Sequence, residues 1–291
     1  MRPILKSLLV FVLLAAAGFA ETANLAVRWY RLAADLGFAD AQQRLGVMYR
    51  EGDGVPKDYA EAFKWYRKAA AQGNAKAQTN LGIAYTNGEG VPKDYPEALR
   101  WYRKAAEQGD AGAQHQLGFM YIKGEGVPKD DEEAVKWYRK SADQGFDVAQ
   151  YQLGFMYAEG KDVPKDDEEA VKWYRKSADQ GFDFAQYQLG FMYAEGKGVP
   201  KDDEEAVKWW RLAAERGFAA AQNSLGYSYY NGEGVPKDLV QAHVWWNIAG
   251  VNGNEKARKY LATAEPLMTD SQKEKATDMA RELFAKLPKG K

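Results

Sequence analysis

Tryptophan recurs at Trp29, Trp65, Trp101, Trp137, Trp173, Trp209 and Trp245, thirty-six residues apart at every step. Proline keeps the same interval at Pro56, Pro92, Pro128, Pro164, Pro200 and Pro236. A fixed period of this length marks an array. Each unit is one supersecondary piece that buries its apolar face only by stacking on its neighbours. Six full units follow without an insertion: 38–73, 74–109, 110–145, 146–181, 182–217 and 218–253.

Each unit reads as two helices. In 146–181 the first helix, about Val148–Glu159, sets Ala149, Leu153, Gly154 and Tyr157 on one face. Gly160 is its stop signal, and the loop Lys161–Pro164 follows. Asp166 then stands as a cap for the second helix, with Glu169 three residues on as in a capping box. The pair recurs at Asp58/Glu61, Asp94/Glu97, Asp130/Glu133 and Asp202/Glu205, and as Asp238/Gln241. Each cap contributes about 1 kcal/mol. The second helix carries Ala170, Trp173, Tyr174 and Ala178 at core spacing and stops at Gly181. The acidic runs are therefore helix starts, where carboxylates favour the positive end of the dipole, and not cation sites.

A glycine sits inside every first helix: Gly46, Gly82, Gly118, Gly154, Gly190 and Gly226. Each costs about 1 kcal/mol against alanine. A large aromatic from the partner helix lying over the missing side chain would offset that cost. In the loops, Gly54, Gly90, Gly126, Gly198 and Gly234 mark a position of positive φ, and Asp162 stands there in one unit.

The pattern Ala-Gln-x-x-Leu-Gly-x-Met-Tyr, Gly-x-Gly-Val-Pro-Lys-Asp and Glu-Ala-x-Lys-Trp-Tyr-Arg-Lys-Ala-Ala-x-Gln-Gly resembles the Sel-one-like repeat, a relative of the tetratricopeptide repeat. The match covers about 22–262. The resemblance implies an all-α fold, a right-handed superhelical solenoid of antiparallel helix pairs, and a role in holding partner proteins. The ends fit such a stack. Residues 21–37 read as an N-terminal half repeat with Thr22 in the cap position. Residues 254–291 read as a degenerate half repeat and a capping helix, Asp270–Leu287, opened by a Thr269/Gln272 box.

The first twenty residues differ from the rest. Arg2 and Lys6 precede an apolar run from Leu8 to Ala17 and then small residues, the pattern of a signal peptide cleaved after Ala20. The run is too short for an ordinary spanning helix. The expectation is a bacterial protein exported to the periplasm or secreted, with no stable membrane anchor after cleavage. There is no cysteine to carry a lipid or a disulfide. Formal charge is −1, and −1 − 2 = −3 without Arg2 and Lys6; no basic tract invites nucleic acid.

Catalytic chemistry finds little to work with. His115 and His243 are the only histidines, so a histidine zinc pair and a hydrolytic triad are both hard to assemble. No serine begins a Ser-x-x-Lys: Ser141 and Ser177 are followed by Ala-Asp-Gln and Ser224 by Leu-Gly-Tyr. The sequence reads as a non-enzyme without cofactor or metal. Cysteine-rich relatives linked to penicillin binding and β-lactamase activity imply an alternative, a cell-wall-directed enzyme or glycan binder.

What remains is surface. In the related repeat class the first helix lines the concave groove, which points to two ladders four residues apart on one side. One is Gln43, Thr79, His115, Tyr151, Tyr187 and Asn223; the other is Val47, Ile83, Phe119, Phe155, Phe191 and Tyr227. The partner-binding candidates are His115, Phe119, Tyr151, Phe155, Tyr187, Phe191, Asn223 and Tyr227. The first ladder is expected to be surface. The second is expected either to join it in the groove or to pack adjacent first helices. An aromatic and polar groove suits a protein or peptide, or a cell-wall glycan.

Overall fold

The computed structural model describes residues 19–288, so the charged start and apolar run that motivate export lie outside the described residues. The described residues form fifteen α-helices and one 3₁₀ turn, with no strand among them. The chain divides into two compact units, 1–140 and 141–291. The first holds α1 (Phe19–Asp35), α2 (Ala39–Glu51), α3 (Tyr59–Ala71), α4 (Ala75–Asn87), α5 (Tyr95–Glu107), α6 (Ala111–Lys123) and most of α7 (Asp131–Asp143). The second holds the last turn of α7, then α8 (Asp147–Glu159), α9 (Asp167–Asp179), α10 (Asp183–Glu195), α11 (Asp203–Glu215), α12 (Ala219–Asn231), α13 (Leu239–Val251), α14 (Glu255–Ala264), the 3₁₀ turn Glu265–Leu267 and α15 (Asp270–Lys286). In each unit consecutive helices pack, first helix on second helix and second helix on the next first helix, giving an all-α repeat solenoid. Helix α1 already runs from Phe19, so Thr22 lies within it and not at its start.

The glycine notch is present in every full repeat. A Cβ built on Gly154 would stand 2.6 Å from Tyr174 Cδ1, and one on Gly82 2.4 Å from Tyr102 Cε1. Trp210 and Trp246 fill the same place over Gly190 and Gly226. Burial there pushes the Tyr102 phenol up to about 12 and raises Tyr66, Tyr138 and Tyr174 as well. The repeated tryptophan one residue earlier does a different job. Trp101 packs on the cluster of Ala62, Tyr66 and Leu81, and Trp209 on that of Ala170, Tyr174 and Leu189. Each thus reaches back to the preceding repeat. A lysine three residues on covers the ring, with Lys68 Nζ 3.8 Å from the Trp65 centroid and Lys176 Nζ 3.9 Å from that of Trp173.

The Asp-x-x-Glu pairs form only half a capping box. Asp58, Asp94, Asp130, Asp166 and Asp202 each accept from the N–H three residues on, at 2.9–3.0 Å. The glutamates do not reach back, because the cap N–H is already engaged: Asp166 N donates to Tyr157 O at 3.0 Å and Asp202 N to Tyr193 O at 3.0 Å. That bond ties the start of the second helix to the end of the first. Each glutamate pairs instead with the cation three residues on, as Glu169 does with Lys172 Nζ at 3.0 Å. Only Thr269 and Gln272, where no earlier helix uses the cap N–H, close the full box among the described caps.

A glutamine ladder joins repeats. Gln150 Nε2 donates to Ala142 O at 3.1 Å, and Gln180 Nε2 donates to Gln150 Oε1 at 2.7 Å. Gln42, Gln72, Gln78 and Gln108 repeat the arrangement in the first unit, and Asn252 continues it onto Gln222 at 2.9 Å. Arg216 occupies the donor position in one repeat and bonds Asp183 at 2.6 Å, so buried Gln186 Oε1 has no hydrogen-bond partner.

Asp162 has φ 67°, the one positive φ at a non-glycine among the described residues. At the equivalent Gly198 and Gly234 a Cβ would meet the Asp167 and Asp203 carbonyl oxygens at 2.1 and 2.0 Å. Asp162→Gly is expected to stabilise the protein by about 1 kcal/mol by removing αL strain. A lower thermal midpoint in the variant would contradict this.

His243 is buried in α13, with Nε2 3.6 Å from Glu265 Oε1 on the 3₁₀ turn. Burial lowers its pKa below the usual histidine value, and the Glu265 carboxylate only partly opposes this. The unfolded chain therefore binds the proton more readily. Stability from this group is full above the unfolded value, about 6.5, and is lost as pH falls through the window between that value and the lower folded one. Urea midpoints are expected to fall from pH 7.5 to 5.5 in the wild type. The fall should be smaller in His243→Val, since Val171 and Val207 hold that position in other repeats. Equal slopes would contradict it.

Candidate partner-binding surface

The two ladders prove different in kind, and the expected order is reversed. The first ladder is seam. The His115 ring lies 5.4 Å from Tyr138. Tyr151 is half-buried among Tyr174 at 5.8 Å, Phe182 at 5.3 Å and Phe184 at 6.0 Å, and its burial raises its pKa against a hydrogen bond to Gln188. Tyr187 is half-buried, packs on Phe218 at 5.4 Å, and its carbonyl accepts from Trp210 Nε1 at 3.2 Å. The Asn223 carbonyl accepts from Trp246 Nε1 at 3.1 Å in the same way. The Tyr151 and Tyr187 rings lie beside the aromatic that fills the glycine notch and pack on Phe182 and Phe218 at the turn into the next repeat. Truncating Tyr151 and Tyr187 would therefore disturb packing as well as any surface.

The second ladder is the more open one. Phe119 and Phe191 are each 38% exposed and Tyr227 44%. Phe155 is half-buried and packs against the core of its repeat, as Val47 and Ile83 do. In the first unit, Phe119 and Ile83 line a groove of about 680 Å³ that runs across α2, α4 and α6. Its other walls are Arg50, Glu51, Lys57, Tyr59, Thr86, Asn87, Glu89, Tyr102 and Gln116. Apart from Lys57, the lysine of the Val-Pro-Lys-Asp loop, and Tyr102 of the Trp-Tyr pair, these sit at variable positions, so the repeat pattern did not single them out. Both charge signs meet there beside aromatic area, and the volume is in the range of ligand pockets. In the second unit, Lys197 Nζ lies 4.9 Å from the Phe191 centroid, so that ring also combines apolar area with a cation.

Among the described residues no group of three or more His, Cys, Asp or Glu side chains could hold a metal ion. None of the helices among them is long and apolar enough to cross a membrane.

The fold is that of a helical repeat protein. Seven consecutive segments, 23–38, 39–74, 75–110, 111–146, 147–182, 183–218 and 219–254, match the Sel1 repeat. The chain belongs to the Sel1 repeat family. Its fold is one generally used as a non-catalytic scaffold for protein interaction. A Sel1 repeat protein from Oxalobacter formigenes is 36% identical with a TM-score of 0.68, over 79% of this chain and 92% of that one. The c5321 protective antigen of uropathogenic Escherichia coli, which has the same repeat fold, is 32% identical over 92% of this chain and 80% of that one, with a TM-score of 0.42. A sel1 repeat protein from Klebsiella pneumoniae is 26% identical over 69% and 98%, with a TM-score of 0.48. No curated protein matches the chain.

Proposed function

We propose that this protein is an exported, non-catalytic scaffold that binds a protein or peptide on its first-helix face. The observation that carries this reading is the second ladder. Core positions hold the same residue types in repeat after repeat, while this outward position carries exposed rings at Phe119, Phe191 and Tyr227. Exposed aromatics bury much area at low entropy cost when a partner covers them. In the first unit the ladder opens into the groove beside Arg50 and Lys57, where charge on both walls can fix the register of an extended chain. Export rests on the charged start, apolar run and small residues of 1–20.

Phe191→Ser with Tyr227→Ser is expected to weaken partner binding by about 2–4 kcal/mol if both rings are anchors, with helical circular dichroism unchanged. The check is co-purification from the envelope fraction of the producing cell, with wild type and variant side by side. Equal recovery of the same partner would move the site elsewhere. Export has its own check: the mature chain is expected to begin near Glu21, and a mass that retains Met1 would contradict it.

A further inference from the structure

The N-terminal end of the array is built for a partner. Trp29 and Leu32 on α1 and Leu36, the residue just past its end, follow one another at three and four residues, one stripe, and all three are exposed. Trp29 is 43% exposed, whereas Trp65, at the same place one repeat on, is 6% exposed. The internal tryptophans, buried at Trp65, Trp173 and Trp245 and half-buried at Trp101, Trp137 and Trp209, are covered in this degree because they reach back to the preceding repeat. The face that carries Trp29 is thus the continuation of the repeat-to-repeat interface.

The substitutions on this face run against what an open end requires. A terminal repeat normally has a polar outer face. Leu32 stands where Lys68, Lys104, Lys140 and Lys176 stand in four repeats and Leu212 in another, and Leu36 where Gln72, Gln108 and Gln180 donate to the first-helix glutamine of their own repeat. The chain has therefore placed leucine at two positions that are polar in those repeats, and Leu36 is 70% exposed. At the other end of the array α15 covers α13, with Ala276, Ala280 and Leu283 packed against Trp245 and Ile248. That end offers no matching surface for head-to-tail stacking. The apolar end left to complement this face is the same face of another copy.

We infer that two copies of this chain pair face to face through α1, about a two-fold axis, with the helices antiparallel. The charges fix the direction. Arg28 and Asp35 are both exposed and lie seven residues apart, along one edge of the stripe. Antiparallel helices bring like edges together in reverse order, so each Arg28 meets the other copy's Asp35. A symmetric contact of this kind is self-complementary.

Light scattering on protein produced from the full-length gene, and on its mature form, tests this. Wild type is expected at twice the mass of one chain. Leu32→Lys with Leu36→Gln is expected at the single-chain mass, with thermal unfolding retained, because those residues already serve the same position in internal repeats. Arg28→Asp or Asp35→Arg alone is expected to weaken the dimer at least tenfold, and the two together to restore it. A monomeric wild type overturns the inference, including the case in which Trp29 is shielded from quencher by residues 1–18 of its own chain. A dimer that survives the double leucine substitution overturns it too, as does a charge reversal that is not rescued by its pair.

Discussion

Gly154→Ala is expected to destabilise the protein by about 2 kcal/mol, although alanine is the better helix former. Two effects oppose each other. Helix propensity favours alanine by about 1 kcal/mol. Overpacking a close-packed site costs about 1–3 kcal/mol or more. At Gly154 the new Cβ would stand 2.6, 2.8 and 3.0 Å from three atoms of the Tyr174 ring. That ring is fully buried and is held by Tyr151 and the α8–α9 contact, so it has nowhere to retreat. Packing therefore wins. Gly112→Ala, also within a helix, has its nearest neighbours at 3.3 and 3.9 Å and is expected to be neutral or slightly stabilising. Thermal midpoints of the two variants should move in opposite directions, or at least differ by several degrees. Equal midpoints would mean that the notch does not hold the helix pair.

Gln150→Ala is expected to cost more, about 3 kcal/mol. Gln150 is 5% exposed and serves both sides of a repeat junction. Its truncation leaves the Ala142 carbonyl and the Gln180 amide without the bonds they make at 3.1 and 2.7 Å. A buried polar group left unmet costs about 1–3 kcal/mol, and the lost side-chain packing adds to it. Gln180→Ala is expected to cost less, because Gln180 is itself exposed and water can replace one of its partners. Removing the exposed Lys172–Glu169 pair should change stability least of the three, since water screens it. Urea unfolding of the three variants checks the order. An ion-pair variant weaker than Gln150→Ala would overturn the view that buried amides, and not surface charges, join the repeats.

The contrast between notch and ladder shows which parts of the molecule were legible beforehand. The tryptophan period states the helix pairs outright, and a glycine inside a helix names its own reason, since only a close neighbour offsets its cost. The αL site at Asp162 was legible because glycines at that loop position reveal the backbone. The glutamine ladder was not, although Ala-Gln and Gln-Gly recur throughout. An amide has no preferred partner until folding brings to it the second-helix amide of its own repeat and a carbonyl of the preceding one. The capping glutamates misled for a similar reason: the sequence shows the box, but not that the cap N–H is taken by the tyrosine carbonyl of the first helix. The ladders were placed correctly on first helices, yet their burial was not readable. Residues 151–160 and 187–196 are identical, but Phe155 is half-buried and Phe191 is exposed, so the difference must come from neighbouring repeats.

The most direct test of the account is site-specific photocrosslinking in the producing cell, with a benzophenone amino acid at position 191 or 227 and, as control, at position 172. Phe191 and Tyr227 lie on first helices, and Lys172 is exposed on the second helix α9. The account predicts one discrete protein adduct of the same mass from positions 191 and 227, and none from position 172. An adduct from 172 with nothing from 191 and 227 would contradict it and place the partner on the second-helix surface.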